Sequence, residues 1–129
     1  MGAAYDIGRR SMALAEAKDR DGWLALFADD GVVQDPVGPS VFDPEGQGHK
    51  GADAIAAFYD NVISTKVRFE MRQSAECGSE CVFAGTIHIT LPGGAEGSVD
   101  LVNIYKVTVD GDRIESLRSF WEFEKLSFR

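Results

Sequence analysis

Apolar and polar residues alternate along this chain with two periods, and the change of period divides it into a helical half and a stranded half. In residues 3–18, Ile7, Ser11 and Leu14 recur at helical spacing, with Arg9, Arg10 and Glu16 mostly on other faces, which predicts an amphipathic helix. Asp19 to Gly22 interrupts that pattern. Asp21 is placed to cap a second, short helix carrying Trp23, Leu24, Leu26 and Phe27, which ends near Asp30-Gly31. Val32 to Asp35 reads as a short strand stopped by Pro36. The Pro-, Gly- and Ser-rich stretch from Val37 to Lys50 reads as an irregular loop. A third helix is predicted from about Ala52 to Ile63, with Ile55, Phe58, Tyr59 and Val62 on one side.

Beyond it the period falls to two. Val67, Phe69 and Met71 alternate with Arg68, Glu70 and Arg72, and Phe83, Gly85, Ile87 and Ile89 alternate with Ala84, Thr86, His88 and Thr90. A Pro92-Gly93-Gly94 turn leads into a strand from about Gly97 to Val109. Asp110-Gly111 is a hairpin turn, and a last strand runs from Ile114 to Phe123. Helices first and a strand meander afterwards is an α+β pattern, with three helices packed on one face of a curved, mostly antiparallel sheet. Such a sheet, closed by helices on its concave side, forms a cone whose open end can take a ligand.

Length and charge narrow the options. The 129 residues suit one domain, residues 1–129, and 44% hydrophobic content is enough for one core. No apolar run reaches the ~18 residues of a membrane span, and Met1 to Arg10 has no signal-peptide core, so a cytoplasmic location is expected. The net charge of −8, with basic residues scattered among acids, argues against nucleic acid as a partner. Cys77 and Cys81 flank a turn without further ligands nearby and are read as free thiols, not a metal site.

Two acids are candidates for chemistry. Asp100 lies inside the apolar run Ser98-Val99-Asp100-Leu101-Val102-Asn103-Ile104, where strand alternation groups it with Val102 and Ile104, and Asn103 with Leu101 and Tyr105. If the Val102 face is inward, Asp100 is a buried carboxyl that tends to stay protonated and to donate a hydrogen bond. If that face is outward, it is a solvated structural acid. Asp35 shares the parity of Val33; it is either an inward acid or the turn aspartate of an Asp-Pro pair. Two inward acids in different surroundings would make an acid/base pair. Phe58 and Val62 from the third helix, Phe69, Met71 and Phe83 from the strands, and Leu117, Trp121 and Phe123 from the last strand supply apolar lining. His49 and His88 read as surface or interface residues.

The segments Phe27-Ala28-Asp29-Asp30 and Val32-Val33-Gln34-Asp35-Pro36-Val37-Gly38 together resemble the first signature of bacterial Δ5-3-ketosteroid isomerases. Ala56-Ala57-Phe58-Tyr59 is similar to their third helix, Val99 to Asn103 to the strand holding their buried acid, and Ser119-Phe120-Trp121 to their last strand. The likeness spans the chain apart from an insertion-like loop around Pro39 to Gln47. The resemblance implies a nuclear transport factor 2-like (NTF2-like) cone and a cofactor-free isomerase for a small hydrophobic substrate, a 3-oxo-Δ5 steroid. Asp35 would be the general base and protonated Asp100 a donor to the dienolate oxygen. Tyr59 would support the oxyanion site, and Phe58, Val102, Leu117 and Trp121 would line the pocket. It also implies a homodimer, for which the outer sheet face with Asn103, Tyr105 and Phe120 is the expected contact. One departure stands out: the family's first-helix oxyanion tyrosine falls on Ser11. Other enzymes of the superfamily, such as SnoaL-type polyketide cyclases or epoxide hydrolases, and a non-catalytic module binding small hydrophobes are the alternatives.

Overall fold

The computed structural model describes residues 2–128. Helix α1, Ala3–Glu16, buries Ala4, Ile7, Gly8, Ser11, Met12 and Ala15, the stripe its periodicity predicts. Its N-terminus is capped from afar, because the Glu76 carboxylate accepts the N–H groups of Gly2 (2.7 Å) and Tyr5 (2.8 Å). At the other end Lys18 takes a left-handed φ of 58°. The N–H groups of Lys18 and Asp19 close on the carbonyls of Ala15 and Leu14, a Schellman turn built without glycine. Asp19 then caps helix α2, Arg20–Leu24, by accepting the Gly22 N–H at 3.0 Å. The cap is therefore Asp19 and not Asp21, and α2 is one turn long.

Phe27 to Gly31, expected as the end of that helix, is strand instead. Strand β1, Phe27–Gln34, runs parallel to the sixth strand, with Phe27 opposite Ile114 and Val33 opposite Leu117. This pairing overrides the local pattern. The loop of residues 37–48 ends in the two-residue strand β2, His49–Lys50, paired with β1. Helix α3, Ala52–Phe58, continues as a π-helical turn, Tyr59–Ile63. The meander follows as β3, Lys66–Cys77, β4, Glu80–Thr90, β5, Glu96–Val107, and β6, Ile114–Phe120, with a short β7, Ser127–Phe128, paired to β5.

The sheet order is β2-β1-β6-β5-β4-β3, antiparallel except between β1 and β6. The three helices pack on its concave face. Trp23, Ile55, Phe58, Phe83, Tyr105 and Ile114 are among the nearly inaccessible side chains of the core between them. At the free edge of β3 the Phe69 N–H donates to the Glu16 carboxylate at 2.7 Å, so the carboxylates at positions 16 and 76 strap α1 across the edge strand. No helix among the described residues is long and apolar enough to cross a membrane.

Candidate functional site

The concave face of the sheet encloses a cavity of about 330 Å³. Most of its wall is hydrocarbon from β3, β4 and β5: Val67, Phe69, Ile87, Ile89, Val99 and Leu101. Aromatic rings from the loop and from the C-terminal segment, Phe42, Phe123 and Phe128, also line it, with the Phe42 and Phe123 rings 6.1 Å apart. Polar groups are few: Asp35, Ser11, Asn103, Tyr105 and Ser119 among them. Such a wall, apolar with a few convergent polar atoms, suits a small hydrophobic ligand bearing an oxygen.

Asp35 lies one residue beyond β1 and keeps the parity of Val33, which is fully buried. Its following peptide bond, to Pro36, is cis. The Trp121 indole N–H donates to Asp35 Oδ1 at 2.6 Å. Among the described residues Asp35 is the one carboxylate that lines the cavity, and no lysine or arginine lines it. Burial pushes its carboxyl from an ordinary 3.8 up to about 6, against the smaller downward pull of the Trp121 hydrogen bond.

Asp100 lies elsewhere. On β5 the buried residues are Gly97, Val99, Leu101, Asn103, Tyr105 and Val107, and Asp100 is on the opposite, outer face. Its side chain is 85% exposed, accepts the Thr86 hydroxyl at 2.6 Å and faces Arg72 at 3.6 Å. A carboxylate this exposed, on the face of β5 away from the cavity, is not a buried donor, so the buried-donor expectation for Asp100 is overturned. Val102 shares that outer face and does not line the cavity. The outward expectation for Asn103 and Tyr105 fails for the same reason, since both point inward.

Asn103 is 3% exposed, accepts the Ser119 hydroxyl at 2.5 Å, and offers its amide N–H to the Met12 sulfur at 3.9 Å. Sequence reasoning passed over it, although the signal was present. Glu96, Ser98 and Lys106 share the parity of Asp100, and five hydrophobic or glycine positions share that of Asn103.

Of the other expected residues, Ser11, Leu117, Trp121 and Phe69 reach the cavity. Tyr59, Phe58 and Phe83 are buried in the core and do not line it. The Tyr59 ring packs 5.4 Å from Trp23, and its hydroxyl has no hydrogen-bond partner among the described residues. Phe58 stacks on His49 at 4.7 Å, and Phe83 fills the space under α1 between Tyr5 and Tyr105. Helical periodicity identifies the buried side of α3, but that side meets β1 and β2 rather than the cavity. His88 pairs with Glu70 at 2.9 Å on the outer face, away from the site.

Residues 9–117 match the family model of the SnoaL-like domain. This chain belongs to the SnoaL-like family. Its three helices on a curved mixed sheet are the NTF2-like α+β cone. Among solved structures this SnoaL-like chain is similar to a Δ5-3-ketosteroid isomerase from Mycobacterium sp., at 32% identity and a TM-score of 0.92, with 100% of both chains covered. It is similar also to a Mycobacterium tuberculosis protein in complex with estradiol-17β-hemisuccinate (32% identity, TM-score 0.90, 99% of this chain and 100% of that one). A computationally designed 17-OHP binder matches at 32% identity and a TM-score of 0.92 over 100% of both chains.

Proposed function

We propose that this SnoaL-like protein is a steroid Δ5-isomerase, in which Asp35 moves a proton from C4 to C6 of a 3-oxo-Δ5 steroid through a dienolate. The observation that carries this reading is a carboxylate that, among the described residues, stands alone in an apolar cavity. Its raised pKa leaves Asp35 largely ionised at neutral pH yet more basic than a solvated aspartate, which suits abstraction of a weakly acidic C–H. The indole of Trp121 holds one carboxylate oxygen, so the other is free to face the substrate carbon. The role first expected of Asp100, hydrogen bonding to the dienolate oxygen, passes to the Asn103 amide. Its nitrogen makes one long contact to sulfur and keeps a second N–H for a ligand.

Two similar structures named for a ketosteroid isomerase and for a complex with an estradiol ester support a steroid-sized ligand. An epoxide hydrolase of the Asp-Arg-Asp kind is disfavoured, because no guanidinium lines the cavity among the described residues. On the same reading the outer face with Val102, Ile104 and Phe120 is the homodimer contact.

The test is an ultraviolet assay following conversion of 5-androstene-3,17-dione to its conjugated isomer. Turnover well above the uncatalysed rate is expected, and no turnover at any pH would end the isomerase reading. The pH profile carries a second prediction. Since the ionised form is the active base, kcat/KM should rise with pH through a midpoint near 6 and level off above it. Trp121→Phe removes the hydrogen bond that favours the carboxylate, so the rising limb should move to higher pH. A limb that stays in place would mean that the indole does not tune Asp35.

A further inference from the structure

The first-helix position that carries a tyrosine in the isomerases is Ser11 here, and the structure shows what surrounds it. Ser11 Oγ lies 3.1 Å from Trp23 Nε1 and 3.1 Å from the Tyr105 hydroxyl. All three side chains are 1% exposed and all three line the cavity. The cluster has one indole proton and two hydroxyl protons to place. An indole N–H only donates, so Ser11 accepts from Trp23. The Ser11–Tyr105 bond uses one of the two hydroxyl protons, whichever residue supplies it. Among the described residues neither hydroxyl donates to any other group. One O–H proton is therefore left over, in a pair of hydroxyls on the cavity wall beside Asn103.

Where that proton goes depends on the ligand. Against a neutral wall either orientation of the pair serves. Against an oxygen gaining negative charge, the more acidic phenol is the better terminal donor, with Ser11 donating to it and Trp23 donating to Ser11. Each bond in such a chain polarises the next. We propose that Trp23, Ser11 and Tyr105 form a donor relay that ends at the substrate carbonyl oxygen, with Tyr105 the terminal donor. Tyr105 replaces the first-helix tyrosine from the opposite wall of the cone, from strand β5 instead of helix α1. Tyr105 is then a catalytic residue, and Ser11 and Trp23 are positioning residues that hold its hydroxyl. Together with the Asn103 amide it makes this pole of the cavity rich in donors, so it selects a ligand oxygen that only accepts, a ketone or its enolate. Burial first, and the facing charge of Asp35 as a smaller cause, raise the Tyr105 pKa, so the phenol keeps its proton at working pH.

This inference rests on the steroid reading for its substrate, and its test separates the two. The conjugated product, 4-androstene-3,17-dione, is bound to the protein, and the shift of its enone absorption band and carbonyl stretch is measured. A hydrogen bond to the carbonyl moves the band to longer wavelength and lowers the stretch. The expected result is a shift in the wild type that is largely lost in Tyr105→Phe and partly lost in Ser11→Ala. Tyr59→Phe should leave it unchanged. The Tyr105→Phe ring still fills the space beside Phe83, and circular dichroism checks that it folds. Turnover should fall on the order of 10²-fold in Tyr105→Phe. The Ser11→Ala loss should be smaller, and the double variant little worse than Tyr105→Phe alone, because the two residues act as one unit. An enone shift that is the same in wild type and Tyr105→Phe overturns the relay, whether or not the protein isomerises steroids. Absent turnover with the expected enone shifts would remove the isomerase reading and leave the relay as a ligand-binding device.

Discussion

Asp35→Asn should abolish turnover and at the same time make the protein harder to unfold at neutral pH. The first half follows from the proposed role: loss of the base costs on the order of 10³-fold or more in kcat. The second half follows from the cause of the raised pKa. Asp35 is pushed up to about 6 because burial disfavours its charge. In the unfolded chain it titrates near 4. Below that value the group is protonated in both states and costs nothing. As pH rises from about 4 to 6 the unfolded state gives up its proton first, so the folded state loses stability, and the loss is complete above pH 6. The full effect is up to about 3 kcal/mol. Asparagine carries no charge and can still accept the Trp121 N–H. Its melting temperature should therefore exceed the wild type's at pH 8, with the gap narrowing toward pH 4. A variant that melts lower than wild type at pH 8, or a gap independent of pH, would contradict the buried-carboxylate account. Full turnover in the variant would remove Asp35 as the base.

What could be read from sequence depended on whether one strand face alone was apolar. On β3, Val67, Phe69 and Met71 alternate with charges, and their inward direction was legible. On β5 the outer face also carries Val102 and Ile104, so the local run around Asp100 looked apolar on both parities. Only the strand's full length, with Glu96 and Lys106 at its ends, distinguishes the faces. That ambiguity drew the expected buried polar group to Asp100 instead of Asn103, and it turned Tyr105 outward. Asp35 stood open between an inward acid and a turn aspartate, because Val32 and Val33 are apolar on both parities, and its role as base came from the family resemblance. The strand character of Phe27 to Gly31 was not legible, because Ala28-Asp29-Asp30 has no alternation of its own and is held by its parallel partner β6. Helical spacing puts Tyr59 and Phe58 on one side of their helix, and both are buried, but neither lines the pocket as expected. Periodicity cannot say whether a buried side chain meets other side chains or a cavity, and here both meet the core.

Gly85→Val should be the most damaging single change to the fold that leaves every polar group of the site in place. Glycine inside a strand marks a bulge or a close backbone approach, and here it marks both. Opposite it, the pairing of β3 with β4 skips a residue: Met71 pairs with Gly85, Gln73 pairs with Ala84, and Arg72 is the extra residue of a bulge. A Cβ on Gly85 would overlap the Glu70 carbonyl oxygen and lie 2.7 Å from Met71 Cα. Both are backbone atoms, so no rotamer change relieves the clash. Either β3 and β4 separate or the bulge moves. The bulge joins two halves of β3 with different tasks. Before it, Val67 and Phe69 face the cavity; after it, Glu76 caps α1. Displacing either half reaches Ser11, because α1 rests on this strand. Overpacking against fixed backbone costs roughly 3 kcal/mol or more, a large part of the 5–15 kcal/mol typical of a domain. A melting temperature lower by roughly 10 °C is expected, with amide exchange accelerated first along β3 and β4 and with weakened binding of the enone. A melt within a degree or two of wild type would show that the β3–β4 pairing can absorb a side chain at this position.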